Sequence, residues 1–148
     1  MQIDSKGYVI TASLSSLGKI NCDEIWLITR VEKNIAGVKW MPELAPNGDL
    51  YNKYLSEWKG KPGEEWWPQY KKEFELQLQS ETKLHALREI WSLVNSGKVI
   101  ALLCYCVENT YCHRSIVAEF LERYDVKVEE FVKEIPKKEE AVTQLLLF

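Results

Sequence analysis

Apolar residues recur along this chain in two rhythms. From Val99 to Tyr105 they run without a charge, directly after Gly97, as in a strand buried on both faces of a parallel sheet. After a polar loop, Val107 to Tyr111, the rhythm changes: Ile116, Val117, Phe120 and Leu121 fall at helical spacing behind Cys112-His113-Arg114-Ser115. Tyr8 to Ala12 reads as a first strand and Ile25 to Arg30 as a second. Ser13 to Lys19 fits a helical turn or a loop equally well.

Between Val31 and Gly63 the periodicity collapses. Gly, Pro and Asn punctuate the stretch, and Trp40, Tyr51, Tyr54 and Trp58 are scattered among lysines. Such a long connection is a functional lid, or hides a short helix over Leu50–Trp58 started by Asn47 or Asp49, or is a loop whose aromatics cover core. Glu64 to Pro68 then opens a helix, with acids in its first turn and Pro near its start. Tyr70, Phe74 and Leu78 carry its core face, and Ser80 breaks and caps the run. Leu84, Leu87, Trp91 and Val94 form the core face of the next helix, which ends at Asn95-Ser96-Gly97. His85 falls among exposed positions, and Asp125 to Val132 alternates as a last strand. The expected architecture is a three-layer α/β fold with a small, mainly parallel sheet and flanking helices. Residues 1–135 form one domain, and residues 136–148 a charged spacer and an apolar peptide.

The chain has 148 residues, 46% hydrophobic and 28% charged, with a formal net charge of −3. These values fit a globular domain and exclude strong non-specific nucleic-acid binding, which needs a basic field. No apolar run approaches the ~20 residues of a transmembrane helix, and the first residues carry no secretory pattern, so a cytoplasmic location without membrane association is expected. Three of the four cysteines, Cys104, Cys106 and Cys112, crowd into one strand-and-loop unit, which favours reduced thiols over disulfides.

That unit also carries the candidate chemistry. A Cys at a helix start beside an imidazole and a guanidinium has its thiolate stabilised, so Cys112 is a candidate nucleophile and His113 its acid/base partner. Arg114 and Ser115, in the first turn, suit a phosphate or carboxylate, and Cys106 closes the strand beside them. Arg30, at the end of the second strand, and Trp40 are expected on the rim of the same site. The Cys-x5-Arg spacing of thiol phosphatases is not met, since seven residues separate Cys106 from Arg114 and one separates Cys112 from Arg114. Cys104, Cys106, Cys112 and His113 offer four zinc ligands, but Cys104 and Cys106 lack the usual two-residue knuckle, and no metal is assigned. Cys104 reads as a small core residue.

Cys104-Tyr-Cys106, five residues and Cys112-His-Arg-Ser115, followed by an apolar helix, resembles the signature of the domain of unknown function 488 family. Arg30, Gly37, Trp40, Glu43-Leu-Ala-Pro46, Leu50, Trp67-Pro68, Tyr70 and Phe74 fall in that family's order, so the resemblance covers most of residues 8–132. The chain departs from it at Thr29, where many members have Asp. The resemblance implies a fold and a pocket, not a reaction.

The last five residues, Gln144 to Phe148, resemble the peptide with which bacterial polymerases and repair factors bind the sliding clamp, departing from it at Leu146. Gln144 would supply amide hydrogen bonds while Leu145, Leu147 and Phe148 fill an apolar pocket. Two functions follow, in different classes. One is an enzyme acting on a phosphorylated or nucleotide-like ligand, with a role in DNA repair or replication if the tail finds a clamp. The other is a non-catalytic anion- or nucleotide-sensing module. Cofactors are not legible.

Overall fold

The computed structural model describes residues 6–106 and 110–132. The charged spacer, the C-terminal peptide and part of the polar loop before Cys112 lie outside them.

Five strands form one all-parallel sheet: β1 (Tyr8–Ser13), β2 (Glu24–Leu27), β3 (Val38–Trp40), β4 (Val99–Cys104) and β5 (Val128–Glu130), in the order β3-β2-β4-β1-β5. Four α-helices accompany them among the described residues: α1 (Gly48–Lys53), α2 (Gly63–Gln77), α3 (Glu81–Asn95) and α4 (His113–Glu122). The three-residue β3 lies inside the stretch where sequence periodicity collapses. The last strand is confined to Val128–Glu130, and Ser13 to Lys19 resolves as a 3-10 turn over Leu14–Lys19.

Alternation along β4 explains its unbroken apolar run. Ile100, Leu102 and Cys104 face α2, α3 and α4, while Ala101 and Leu103 face the other way with Ala12 and Leu27. Leu14 and Leu17 of the 3-10 turn, with Ile20 and Trp40, pack on that second face. The result is an α/β fold of helices, sheet and a thinner covering layer.

The α3 face that enters the core is Ala86, Leu87, Ile90 and Val94, together with Lys83. Trp91, expected in that face, is 48% exposed instead. It follows Ile90 by one residue, about 100° further round the helix. Pro68 is also displaced from the helix start, since α2 begins at Gly63 and Pro68 lies inside it. Glu64 and Glu65 do occupy the first turn, where the helix dipole favours acids.

The long connection between β2 and β4 contains α1, which follows Asn47 and continues as a π-helical turn over Tyr54–Trp58. Its start is fastened from below. Lys83 Nζ, 4% exposed, donates to the carbonyls of Glu43 at 2.8 Å and Ala45 at 2.7 Å. No described helix is long and apolar enough to cross a membrane.

Candidate functional site

After β2 the chain leaves for β3 on one side of the sheet; after β4 it leaves for β5 on the other. The carboxyl ends of β2 and β4 therefore flank a topological switch point, where open parallel sheets form a crevice. A cavity of about 490 Å³ lies there. Thr29, Arg30 and Val31 enter it from the end of β2, Tyr105 and Cys106 from the end of β4, and Cys112 and His113 from the start of α4. The connection between β2 and β4 adds Pro46, Tyr51, Tyr54, Trp66 and Tyr70, and Tyr111 completes the wall.

The walls are an aromatic assembly centred on Trp66, whose ring lies 5.1 Å from Tyr54, 5.6 Å from Tyr70 and 5.8 Å from Tyr111, centroid to centroid. Gly63 makes room for Tyr111, because a Cβ there would collide with the tyrosine ring. Burial, and after it the negative charge of the neighbouring thiols, pushes the Tyr70 phenol well above its ordinary range, so it stays a protonated donor. Arg30 is the cationic side chain among the described lining residues other than histidine, and its guanidinium carbon stands 4.4 Å from the Tyr51 ring centre.

The floor is sulfur. The Sγ atoms of Cys104, Cys106 and Cys112 all lie within 4.8 Å of one another, with Cys104 and Cys112 at 2.9 Å. Cys104 and Cys112 are each 1% exposed, whereas Cys106 opens to solvent. The neighbouring Cys104 and then Cys112 thiols, aided by the charge of Arg114, hold the Cys106 thiol far below its ordinary range. The same contacts drive Cys112 upward, so the negative charge settles on the sulfur that water reaches best. Cys112, the candidate nucleophile of the sequence, is a buried thiol whose Sγ lies 2.9 Å from that of Cys104.

His113 Nε2 is 2.6 Å from the Ile28 carbonyl. A carbonyl only accepts, so Nε2 carries the proton and Nδ1 keeps its lone pair. Burial first of all depresses the imidazole pKa and keeps the ring neutral.

Arg114 is beneath the floor, not in the wall. Fully buried, it directs Nη2 to Glu130 Oε2 at 2.7 Å and Nη1 to the Cys106 carbonyl at 2.7 Å and Cys104 Sγ at 3.0 Å. It is absent from the cavity lining because its fork already holds β5 and the sulfur cluster. Ser115 Oγ donates to the Cys112 carbonyl at 2.8 Å, within the first helical turn, and does not line the cavity. Trp40 lies on the opposite sheet face, where its Nε1 donates to the Thr29 carbonyl at 2.8 Å. Of the residues singled out in the sequence, Arg30, Cys106, Cys112 and His113 meet in one place. Cys104 is more than a small core residue, since its sulfur contacts both Cys112 and Arg114. Trp66, Tyr70, Tyr105 and Tyr111 went unread as site residues. The signal for Trp66 and Tyr70 was their four-residue spacing on α2, which equally describes a core face.

Fold and site together define a parallel α/β protein with a thiol cluster at the carboxyl edge of its sheet. Residues 11–125 match the family model described as the active DUF488-N3 subclade, and the chain belongs to the domain of unknown function 488 family. It matches no curated protein and no solved structure.

Proposed function

We propose that the chain is an enzyme that brings the Cys106 thiolate against a nucleotide-like, phosphate-bearing ligand. The observation that carries this reading is an exposed, charge-stabilised sulfur at the floor of an aromatic cavity with a cation in its wall. Flat rings suit the Trp66–Tyr54–Tyr111 walls, and Arg30 suits a phosphate. Nδ1 of His113 is the candidate proton acceptor. Arg114 and Ser115, first read as ligand groups, act here through the floor: Arg114 sets the charge of the sulfurs and Ser115 braces the helix start. Trp40 acts through Thr29. The description of the matching family as an active subclade is in keeping with an enzyme.

The test is protection. Nucleoside mono-, di- and triphosphates are screened for their ability to slow alkylation of Cys106, followed by mass spectrometry. Slowing that is lost in Arg30→Ala supports the reading. Labelling of Cys106 unaffected by every nucleotide would overturn the ligand class.

The non-catalytic module rests on the same walls and on Arg30 alone. Cys106→Ser separates the two readings, since it abolishes turnover of a bound ligand in the first and leaves a complete binding module in the second. Recruitment to a bacterial sliding clamp is a separate proposal, carried by the sequence of Gln144, Leu145, Leu147 and Phe148.

A further inference from the structure

The three sulfurs are more than one nucleophile needs. Of the three, Cys106 is the sulfur exposed at the cavity, yet two further thiols lie within 4.8 Å of it, and those two are 2.9 Å apart and nearly closed to water. A soft metal is the first explanation to weigh. Two thiolates sharing a tetrahedral zinc, at about 2.3 Å from the metal, stand roughly 3.8 Å apart. Cys104 and Cys112 are closer than that. The guanidinium of Arg114 also lies 3.0 Å from Cys104 Sγ and 3.7 Å from Cys112 Sγ, a fixed positive charge against the sulfurs a cation would need. That charge opposes a metal and favours a thiolate.

We infer that the cluster is a self-resolving redox site, in which Cys106 reduces a hydroperoxide and the Cys104–Cys112 pair takes over the oxidation as an internal disulfide. The inference rests on the reading of Cys106 as the reactive thiol and extends it to a second class of substrate.

Each step balances. The Cys106 thiolate attacks the distal oxygen of the hydroperoxide; the O–O bond breaks, Cys106 becomes a sulfenic acid, and the departing alkoxide or hydroxide takes a proton from solvent. The Cys112 sulfur then attacks the Cys106 sulfur. The S–O bond breaks, and the leaving hydroxide combines with the Cys112 proton as water. Cys104 next attacks the Cys112 sulfur, losing its own proton to solvent, and Cys106 departs as a thiolate. In sum, two thiols lose two hydrogens and two electrons, and the hydroperoxide becomes an alcohol, or water, plus water. An external dithiol returns the protein to its starting state.

The 2.9 Å contact is what makes the last transfer local. It moves the disulfide into the buried pair and leaves Cys106 free at the cavity floor. Arg114 touches both buried sulfurs and stabilises the thiolate that forms at either of them during exchange.

Peptide mapping of the intact protein tests this. Chymotryptic cleavage after Tyr105 and Tyr111 places the three cysteines on separate peptides. After one equivalent of hydrogen peroxide and alkylation, the expected product is a Cys104–Cys112 cross-link with Cys106 alkylated. In Cys106→Ser the cross-link forms at least about tenfold more slowly. In Cys112→Ser a sulfenic acid accumulates at Cys106 and is trapped by dimedone. In Cys104→Ser oxidation stops at a Cys106–Cys112 disulfide. The wild-type map stands whether or not the buried-site variants fold. Over-oxidised Cys106 without any cross-link would overturn the relay, as would a native mass carrying zinc or copper with all three thiols resistant to peroxide. Rapid alkylation of Cys106 without a peroxide-induced cross-link removes the relay and leaves the nucleophile. Slow alkylation of Cys106 removes both.

Discussion

Arg114 Nη2 stands 2.7 Å from Glu130 Oε2, so the guanidinium of the Cys-His-Arg segment is fastened to the edge strand of the sheet. Glu130 also accepts from Thr11 Oγ1 at 2.6 Å, and one carboxylate thereby ties α4 and β1 to β5. An arginine at a helix start reads as an anion fork in the sequence, but here the anion is internal.

Arg114→Ala is therefore expected to damage stability before it damages any binding. Removing one partner of a buried ion pair costs roughly 3–5 kcal/mol. Denaturant unfolding should show a loss in that range, with Arg114→Lys intermediate because it keeps the charge and loses the fork. A variant as stable as the wild type would contradict the role given to the pair.

Cys106 should alkylate at acidic pH. An unperturbed thiol titrates near ~8.5, so only a few per cent reacts as thiolate at pH 7. Timed labelling with iodoacetamide from pH 5 to 9 should show Cys106 modified throughout, and Cys104 and Cys112 hardly at all while the protein stays folded. Equal rates at the three sites would remove the charge assignment.

The depressed pKa of His113 makes stability fall on the acid side. Below about pH 6.5 the unfolded chain protonates this histidine while the folded ring stays neutral, so the unfolded state binds more protons. Stability attributable to His113 is full above that pH and declines as the pH drops toward the folded-state pKa, by at most about 1.4 kcal/mol per unit. His113→Gln, which keeps a donor for the Ile28 carbonyl, should flatten that part of the pH profile of unfolding.

Walls and floor should separate under mutation. Trp66→Ala and Gly63→Ala disturb the aromatic assembly, the second by displacing Tyr111, and neither alters the sulfur cluster. Nucleotide protection of Cys106 should weaken at least about tenfold in Trp66→Ala, a loss of about 1.4 kcal/mol, while its alkylation rate without ligand stays within twofold or so.

Removal of residues 144–148 should abolish binding to the sliding clamp of the same host, measured by surface plasmon resonance, and leave Cys106 alkylation unchanged. Clamp binding equal to that of the full chain would end the recruitment proposal.

Much of this was legible before any coordinates. The Val99–Tyr105 run and the spacing behind Cys112 marked β4, α4 and the ground between them, because continuous burial and helical periodicity are local properties. The partner of Arg114 was not legible, since Glu130 lies 16 residues away and across the sheet, and nothing local marks it as inward-facing. The relative burial of the thiols was not legible for a related reason: sequence places Cys112 at a helix start, but only packing decides that it is buried and Cys106 is not. Trp91 illustrates the limit of periodicity, where one position separates a core side chain from an exposed one.

The excursion between β2 and β4 supplies Pro46, Tyr51, Tyr54, Trp66 and Tyr70, while the three clustered sulfurs come from the β4–α4 unit. On the proposed function, reactivity and selectivity are written on different stretches of one gene. Descendants that lengthen or rewrite the excursion would then change clientele without relearning the reaction, and an engineer could swap that segment between cousins as a cartridge.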